Sequence, residues 1–308
     1  MTSRLSFSLW PSPERDWDEI RSLAQYADTA EWHCLWYADH FMPNTGDESI
    51  IDGNVYECWS VIAAITAVTS RLRIGSLVSP TTVRHPAVLA NTAATVDRLG
   101  HGRLVLGIGA GWQINEHRAY GIDLLDAKDR VDRFEEAIQI VRSLLDNDST
   151  TFAGKHFSII DAPCQPRPIQ SPLPILVGTG GPRMSRITAM HADEWNTWGD
   201  VKGASERLAT IRRACESIGR DPATLRTSAQ ALFFLVDDAA TAAKILENAS
   251  SGRPMVVGDA HQIAAALSSY HQEGFDEIII PDFTLGSTPS ARREMYERFA
   301  TEVLPLVS

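Results

Sequence analysis

The sequence of 308 residues contains few cysteines, and their spacing matches no common metal or disulfide motif. Cys34, Cys58, Cys164 and Cys215 are scattered along the chain, and no C-x-x-C pair occurs. This spacing fits neither a zinc site nor a disulfide framework. We therefore expect four reduced thiols, most of them packed inside the protein.

Long apolar runs are also missing, and no stretch approaches the ~18 residues that a membrane span needs. The first residues contain no apolar segment followed by a cleavage site, so they do not resemble a signal peptide. The net charge of -11 argues against binding to nucleic acid or to an anionic membrane. These absences predict a cytoplasmic protein whose partner is a small molecule, and we also expect a homodimer.

Motifs of two common enzyme classes are absent as well. No H-E-x-x-H occurs and the nine histidines are dispersed, so we expect no metal site. Metal-dependent barrel hydrolases often carry H-x-H on the first strand, where this chain has Phe7 and Leu9. The G-x-S-x-G setting of a serine nucleophile is also missing. A metal-dependent or serine hydrolase is therefore disfavoured.

A glycine-rich stretch at residues 107–111 fails the test for a dinucleotide-binding fold. Its spacing is G-x-G-x-G, whereas the fingerprint needs G-x-G-x-x-G at the start of a helix. The next predicted helix starts near Lys128, too late for its N-terminus to bind a pyrophosphate. The sequence thus argues against a Rossmann domain.

What the sequence does contain is a regular alternation of short apolar runs and amphipathic stretches. Hydrophobic residues make up 44% and charged residues 22% of the chain, which allows a large core. The pattern predicts strands at residues 5–9, 35–38, 72–78, 104–108, 175–177, 194–196, 225–235 and 277–280. It predicts helices at 17–30, 59–69, 86–99, 128–146, 183–191, 205–218, 261–273 and 290–307. Strands that alternate with helices in this way predict an α/β fold, a (β/α)8 TIM barrel with insertion loops.

One domain over residues 1–308 accounts for this pattern, since no repeat, linker or low-complexity tract interrupts it. The length beyond the ~250 residues typical of the fold must lie in insertions. The clearest insertion is 147–174, which holds five prolines and predicts a long loop that can include a hairpin. Residues 237–258 predict a short helix and another loop.

In such a barrel the active site forms where the strands end, so residues there are the first candidates. Asp39 and His40 end the second predicted strand. A histidine beside an aspartate can act as a general acid or base, or pack against a flavin-like ring. The alternative is a capping aspartate and a histidine that faces solvent. Leu77 and Val78 end the third predicted strand, and Arg84 follows a few residues later. Leu77 and Val78 can equally be a buried pair at the strand end, and Arg84 can equally be a solvated charge.

Two glycine-rich segments allow the backbone to approach a ligand closely. Gly107, Gly109 and Gly111 carry no Cβ, so backbone N–H groups there can contact a planar or anionic cofactor. The alternative is a tight turn that needs a positive φ and nothing more.

The second segment runs from Gly178 to Gly181 and leads directly into a predicted helix. Free N–H groups of Gly180 and Gly181, the helix N-terminus, and Arg183 and Arg186 in its first turn would together bind a phosphate. The alternative is an ordinary glycine-proline helix start with exposed arginines.

Several segments, taken together and in order, resemble the bacterial luciferase-like family of flavin and deazaflavin oxidoreductases over nearly the whole chain. The segments that carry the resemblance are residues 36–41 (Trp-Tyr-Ala-Asp-His-Phe), 70–78, 84–90, 102–112, 116–121, 166–170 and 175–181. Within the family, residues 109–112 (Gly-Ala-Gly-Trp) and 116–121 resemble a branch of actinobacterial enzymes assigned to coenzyme F420. The resemblance implies an F420-dependent oxidoreductase that transfers a hydride between F420 and a small organic substrate.

The resemblance also implies the site, position by position. Asp39 and His40 would lie against the deazaflavin ring, with His40 near the reactive carbon as the candidate catalytic residue. A cis peptide bond between Leu77 and Val78 would form a bulge under the ring. The ring edge and ribityl chain would contact Ala110, Gly111 and Asn115, and the phosphate would lie against Gly178, Thr179, Gly180 and Gly181.

One departure from the family pattern affects the expected substrate. Relatives that oxidise sugar phosphates carry a glutamate as general acid where this chain has Trp112, and a tryptophan where it has Asn44. Sugar phosphate chemistry is therefore not expected, and the candidate proton donors are His40, Glu116 and His117.

Two other functions remain open from the sequence. One is an FMN-dependent luciferase-like monooxygenase supplied by a separate flavin reductase. The other is a non-catalytic flavin-binding barrel, which would be favoured if side chains plugged the open face of the ring.

Overall fold

The computed structural model describes residues 4–248 and 252–307. Its strands are β1 Ser6–Trp10, β2 Cys34–Tyr37, β3 Arg73–Ser76, β4 Ser79–Pro80, β5 Leu104–Gly109, β6 Ser149–Ala153, β7 Ser158–Pro163, β8 Ile175–Gly178, β9 Glu194–Trp198, β10 Arg226–Gln230, β11 Leu232–Leu235, β12 Met255–Gly258 and β13 Glu277–Pro281. Its helices are α1 Trp17–Thr29, α2 Cys58–Val68, α3 Pro86–Leu99, α4 Ile114–Ala119, α5 Ala127–Asp146, α6 Pro182–His191, α7 Val201–Ser217, α8 Ala239–Glu247, α9 Ala260–Glu273 and α10 Pro289–Arg298.

The main sheet is parallel throughout and closes on itself. Its order is β3-β2-β1-β13-β10-β9-β8-β5-β4, and β3 also pairs with β5. Since β4 continues β3 along β5, the nine strands occupy eight positions of a barrel, and helices pack around the outside. The protein is a (β/α)8 barrel, as the alternation of strands and helices predicts.

Strand β2 shows how alternation along a strand builds both layers of the core. Cys34 and Trp36 point into the barrel interior, while Leu35 and Tyr37 belong to the larger apolar layer between the strands and the helices. The indole N–H of Trp36 donates to Oε1 of Glu277 at 2.8 Å, so a buried polar pair lies within the barrel. Packing on both faces fixes the register of the strand and the positions of the residues that follow it.

The stretch predicted as one strand at residues 225–235 is two strands. β10 pairs with β9 and β13 inside the barrel, whereas β11 pairs with β12 outside it. β12 itself was missed within the predicted loop of 237–258, although the short helix α8 is present. A continuous apolar run does not show where a chain leaves one sheet for another, because both environments are buried.

The insertion at 147–174 contains an antiparallel hairpin of β6 and β7, in keeping with the hairpin considered from the sequence. One reason given against a dinucleotide fold was wrong. A helix, α4, begins at Ile114 directly after the glycines and far before Lys128. The closed parallel sheet still excludes the open sheet of a Rossmann domain.

The four cysteines are buried and free, which agrees with the expectation of packed thiols. None of the described helices has the length and apolar character required to cross a membrane.

Candidate active site

A cavity of about 1190 Å³ opens at the carboxyl ends of the barrel strands. Single-ligand pockets typically measure ~300–1,000 Å³, so this cavity has room for a cofactor together with a small substrate. The predicted site residues that line it are His40, Leu77, Val78, Gly111, Gly178, Thr179, Gly180 and Gly181. Three others, Asp39, Ala110 and Asn115, are not among its lining residues.

Leu77 and Val78 form the floor of the cavity between β3 and β4. The peptide bond between them is cis, as the family resemblance implied. The side chain of Val78 is so close to Gly109 that a Cβ there would lie 2.7 Å from it, and a Cβ on Gly178 would lie 3.3 Å away. The floor is therefore an apolar surface held from below by glycine-bearing strands.

The glycines at positions 107, 109 and 111 do not all have the expected role of contacting a ligand. A Cβ on Gly107 would lie 1.8 Å from the carbonyl oxygen of Ser76, and the Ser76 hydroxyl also donates to the carbonyl of Gly107 at 2.7 Å. Gly107 and Gly109 thus make room for the neighbouring strand. Only Gly111 lines the cavity, with a φ of +88° that favours glycine. Of the three glycines, only Gly111 is therefore still expected to contact a ligand.

His40 and Glu116 form a hydrogen-bonded pair at the edge of the cavity. Nδ1 of His40 lies 3.0 Å from Oε1 of Glu116, and Oε2 of Glu116 accepts from the backbone N–H of Phe41 at 2.9 Å. Because a carboxylate only accepts, Nδ1 carries the proton and Nε2 is the nitrogen that can exchange a proton with a bound molecule. The two residues are 76 positions apart, so no local motif marks them as partners.

Helix α4 also explains why Asn115 does not line the cavity. Its Nδ2 donates to the carbonyls of Pro43 and Ser49 at 3.1 and 3.0 Å, and its Oδ1 accepts from the N–H of Glu116. Gln113 donates to the carbonyl of Met42 at 3.1 Å. The side chains of Asn115 and of Gln113, the N-cap residue of α4, therefore hold the loop at residues 41–56 against the barrel.

Asp39 is buried beneath the cavity and forms an ion pair with Arg84, which also binds Glu57. Burial raises the pKa of Asp39, while the Arg84 cation and a hydrogen bond from Ser79 act in the opposite direction. Its other oxygen, Oδ1, has no hydrogen-bond partner among the described residues. Arg84 is thus a structural partner of Asp39 and not a solvated charge.

The backbone from Gly178 to Gly181 forms one wall of the cavity and ends at the N-terminus of α6. Gly181 is the N-cap residue, and no side chain in the described part of the chain caps this helix. A Cβ on Gly181 would find no atom within 4 Å, so the space beside it is open. This wall, called the cradle below, presents backbone to open space at a helix N-terminus.

The cation beside the cradle differs from the predicted ones. Arg183 pairs with Asp132 and Glu135 at 2.6 and 2.8 Å, and Arg186 is exposed and does not line the cavity. Arg207 on α7 lines the cavity instead, and its Nε would lie 3.5 Å from a Cβ on Gly180. Sequence reasoning missed Arg207 because nothing near it in the chain marks the face of α7 that meets the cradle.

Comparisons with known proteins identify the family of the chain. Residues 5–254 match the family described as luciferase-like monooxygenase. This stretch covers most of the chain, so the protein belongs to the luciferase-like monooxygenase family.

Two relatives and one solved structure illustrate the similarity. The F420-dependent glucose-6-phosphate dehydrogenase of Kineococcus radiotolerans is 27% identical over 92% of this chain and 92% of its own. The enzyme of the same name from Amycolatopsis mediterranei is 32% identical over 56% of this chain, and the match spans about half (52%) of that relative. An F420-dependent secondary alcohol dehydrogenase in complex with an F420-acetone adduct has a TM-score of 0.85, with 99% and 100% of the two chains covered. Its sequence identity is 19%, so this likeness supports the fold alone.

Proposed function

We propose that this protein binds coenzyme F420 and transfers a hydride between F420 and a small organic substrate. The observation that carries the proposal is the convergence of three features on one cavity of about 1190 Å³. These are the cradle at a helix N-terminus, the apolar floor, and a histidine paired with a buried carboxylate. The relatives named as F420-dependent dehydrogenases support the choice of cofactor.

The cradle fits the phosphate of such a cofactor. Backbone N–H groups at an uncapped helix N-terminus favour an anion, and the guanidinium of Arg207 adds a charged donor beside Gly180. The space beside Gly181 is open, and its N–H makes only a long contact of 3.4 Å to Oγ1 of Thr179. Leu77 and Val78 provide an apolar surface suited to a flat ring.

When bound, F420 would supply the hydride chemistry, and the protein would supply position and proton transfer. His40 would hold or release a proton at Nε2 beside the substrate, because Nδ1 is committed to Glu116. Glu116 would keep the imidazole oriented through the same bond. The loop at residues 41–56, tied to α4, would limit the access of water from that side.

An open cavity also weighs against a non-catalytic flavin-binding barrel, which would plug the face of the ring with side chains. The described side chains leave this space free. A homodimer, a cytoplasmic location and a single domain over residues 1–308 remain our predictions from the sequence.

The test is an equilibrium titration of the purified protein with F420 and with FMN, followed by fluorescence. We expect F420 to bind at least tenfold more tightly, which corresponds to about 1.4 kcal/mol. Equal affinities, or tighter binding of FMN, would contradict the F420 assignment and favour the FMN-dependent monooxygenase.

A further inference from the structure

We propose that His117 is a positioning residue that anchors α4 to the barrel and so keeps Glu116 in contact with His40. It acts through two hydrogen bonds, one to the hydroxyl of Thr82 and one to the backbone carbonyl of Gln113. The inference rests on the proposed function where it concerns hydride transfer, whereas the positioning itself is a property of the protein alone. It also removes His117 from the candidate proton donors.

Both ring nitrogens of His117 are bonded within the protein. Nδ1 lies 2.7 Å from the carbonyl oxygen of Gln113, and Nε2 lies 2.7 Å from Oγ1 of Thr82. A carbonyl oxygen only accepts, so Nδ1 carries the proton, and in the neutral imidazole Nε2 accepts from the hydroxyl. His117 is 2% exposed and does not line the cavity. It therefore has no nitrogen that can exchange a proton with a molecule in the cavity.

The bond to Thr82 links α4 to the barrel. Thr82 follows β4, and the backbone N–H of the preceding Thr81 donates at 2.9 Å to the carbonyl of Gly109, the last residue of β5. A Cβ on Gly111 would lie 2.8 Å from Oγ1 of Thr82, so the hydroxyl lies beside a residue that lines the cavity. The missing Cβ of Gly111 thus makes room for the hydroxyl that His117 binds.

The other hydrogen-bonded side chains of α4 and its flanking residues contact a different part of the protein. Among the described residues, they bond to residues 40–49 or within the helix itself. They are the side chains of Gln113, Asn115, Glu116, Arg118 and Tyr120. In the described part of the chain, His117 is therefore the side chain whose hydrogen bond joins α4 to the barrel.

A helix as short as α4 depends on such contacts for its position. It has six residues, fewer than an isolated helix needs to be stable in water. Glu116 directly precedes His117, and its Oε1 lies 3.0 Å from Nδ1 of His40. Loss of the Thr82 hydroxyl would leave a buried acceptor without a donor, which favours a displacement of α4 from the barrel. Glu116 would move with the helix, and the imidazole of His40 would no longer be held in one orientation.

The chain offers two neighbouring threonines for a matched test. Both are buried, but the hydroxyl of Thr81 has no hydrogen-bond partner among the described residues. Thr82→Val removes the donor to His117, Thr82→Ser retains a hydroxyl there, and Thr81→Val removes the hydroxyl without a partner. Circular dichroism establishes that each variant is folded.

The first measurement is the nitrogen NMR spectrum of the histidine rings in the full chain, at about pH 9, where an ordinary imidazole is neutral. The two sets of signals are assigned by their loss in His40→Gln and His117→Gln. In the wild type both imidazoles should carry the proton on Nδ1. Thr82→Val should convert His40 to a mixture of its two tautomers, and Thr82→Ser and Thr81→Val should retain the wild-type pattern. This measurement needs no cofactor, and a loss of stability alone would not change it.

The second measurement is the single-turnover rate of hydride transfer, followed by stopped-flow absorbance of F420. Thr82→Val should lower this rate about 3- to 10-fold, the range for one hydrogen bond, and change the affinity for F420 less than about twofold. Thr82→Ser and Thr81→Val should both transfer the hydride at close to the wild-type rate.

Three results would overturn the inference. The first is a proton on Nε2 of His117 in the wild type, which contradicts the bonding pattern whether or not any variant folds. The second is a Thr82→Val variant in which either the tautomer of His40 or the rate stays as in the wild type. The third is an equal effect of Thr82→Val and Thr81→Val, which would assign both to packing. If the wild type does not bind F420, the proposed function fails, and the NMR comparison still decides whether His117 positions His40.

Discussion

Glu116 holds two groups at once, Nδ1 of His40 at 3.0 Å and the backbone N–H of Phe41 at 2.9 Å. Glu116 is 2% exposed, so its carboxylate is largely shielded from water, while the side chain of His40 is 21% exposed. One buried carboxylate thereby orients the histidine and anchors the start of the loop at residues 41–56. The orientation of His40 is therefore coupled to the position of that loop.

We expect His40→Ala to lower the single-turnover rate of hydride transfer by about 100-fold or more, because general acid–base catalysis contributes effects of this size. Affinity for F420 should change only a few fold. Glu116→Gln should also lower this rate, because an amide no longer stabilises a protonated imidazole. The decrease should be smaller than for His40→Ala, because the imidazole itself is still present. Stopped-flow absorbance of F420 with any substrate that turns over measures both rates. A His40→Ala rate within threefold of the wild type would exclude His40 as catalytic.

The second prediction concerns the contribution of the cradle to the affinity for F420. Gly180→Val places a branched side chain against Arg207 where the phosphate would lie, and Arg207→Gln removes the charged donor. Each change should weaken F420 binding more than tenfold, since a hydrogen bond to a charged group contributes about 1.5–3 kcal/mol. The deazaflavin nucleoside that lacks the phosphate should bind both variants as it binds the wild type.

The matched control for this prediction is Arg186→Gln, since Arg186 is exposed and outside the cavity. Circular dichroism establishes that each variant is folded. If Arg186→Gln weakens F420 as much as Arg207→Gln does, the phosphate contacts the outer face of α6 and the cradle assignment is wrong.

A third prediction concerns the buried ion pair of Asp39 and Arg84. Arg84→Met leaves the Asp39 carboxylate without its cation, and we expect a loss of about 3–5 kcal/mol in the free energy of unfolding. The double variant with Asp39→Asn should recover part of that loss. The control Arg21→Met removes an exposed pair with Asp18 and should cost below about 1 kcal/mol. Urea denaturation measures all four proteins, and equal losses for Arg84→Met and Arg21→Met would contradict the prediction.

The fourth prediction is a pH dependence of stability due to His33. Arg73 donates to Nε2 of His33 at 3.0 Å, so that nitrogen is unprotonated in the folded protein. The pKa of His33 is lowered from 6.5 to about 4, mainly by burial. The cations of Arg226 and Arg73 also lower this pKa, whereas the Glu277 carboxylate raises it. The unfolded chain therefore binds more protons than the folded protein in this range, so stability is lost as the pH falls from 6.5 towards 4.

Denaturation curves at about pH 7.5 and about pH 5 test this sign. The difference in unfolding free energy between the two pH values should be smaller for His33→Gln than for the wild type. His261→Gln, which changes an exposed histidine of α9, should retain the difference seen in the wild type. If the difference in unfolding free energy were unchanged in His33→Gln, groups other than His33 would be responsible for the loss of stability at low pH.

The fold and part of the site were predictable because they depend on local pattern. Apolar runs of strand length alternate with amphipathic stretches, and closing a parallel sheet brings the ends of those strands to one face. His40, the pair Leu77 and Val78, and the glycines at the end of β8 lie at strand ends, so their positions in the chain placed them at the cavity. The cis bond between Leu77 and Val78 was implied only by the family resemblance. The short helix α4 was missed, because six residues within a polar cluster show little periodicity.

The rest was decided by contacts between elements that are distant in the sequence. Arg207 reaches the cradle because α7 packs with one particular face towards it, and Glu116 meets His40 because α4 follows β5 close to the end of β2. The chain itself determined the type and order of the elements, because each residue's period and turn chemistry depend on its neighbours. Only the tertiary structure selected which side chains share the cavity, because the rotation of each helix against the barrel is set by the packing of the whole core.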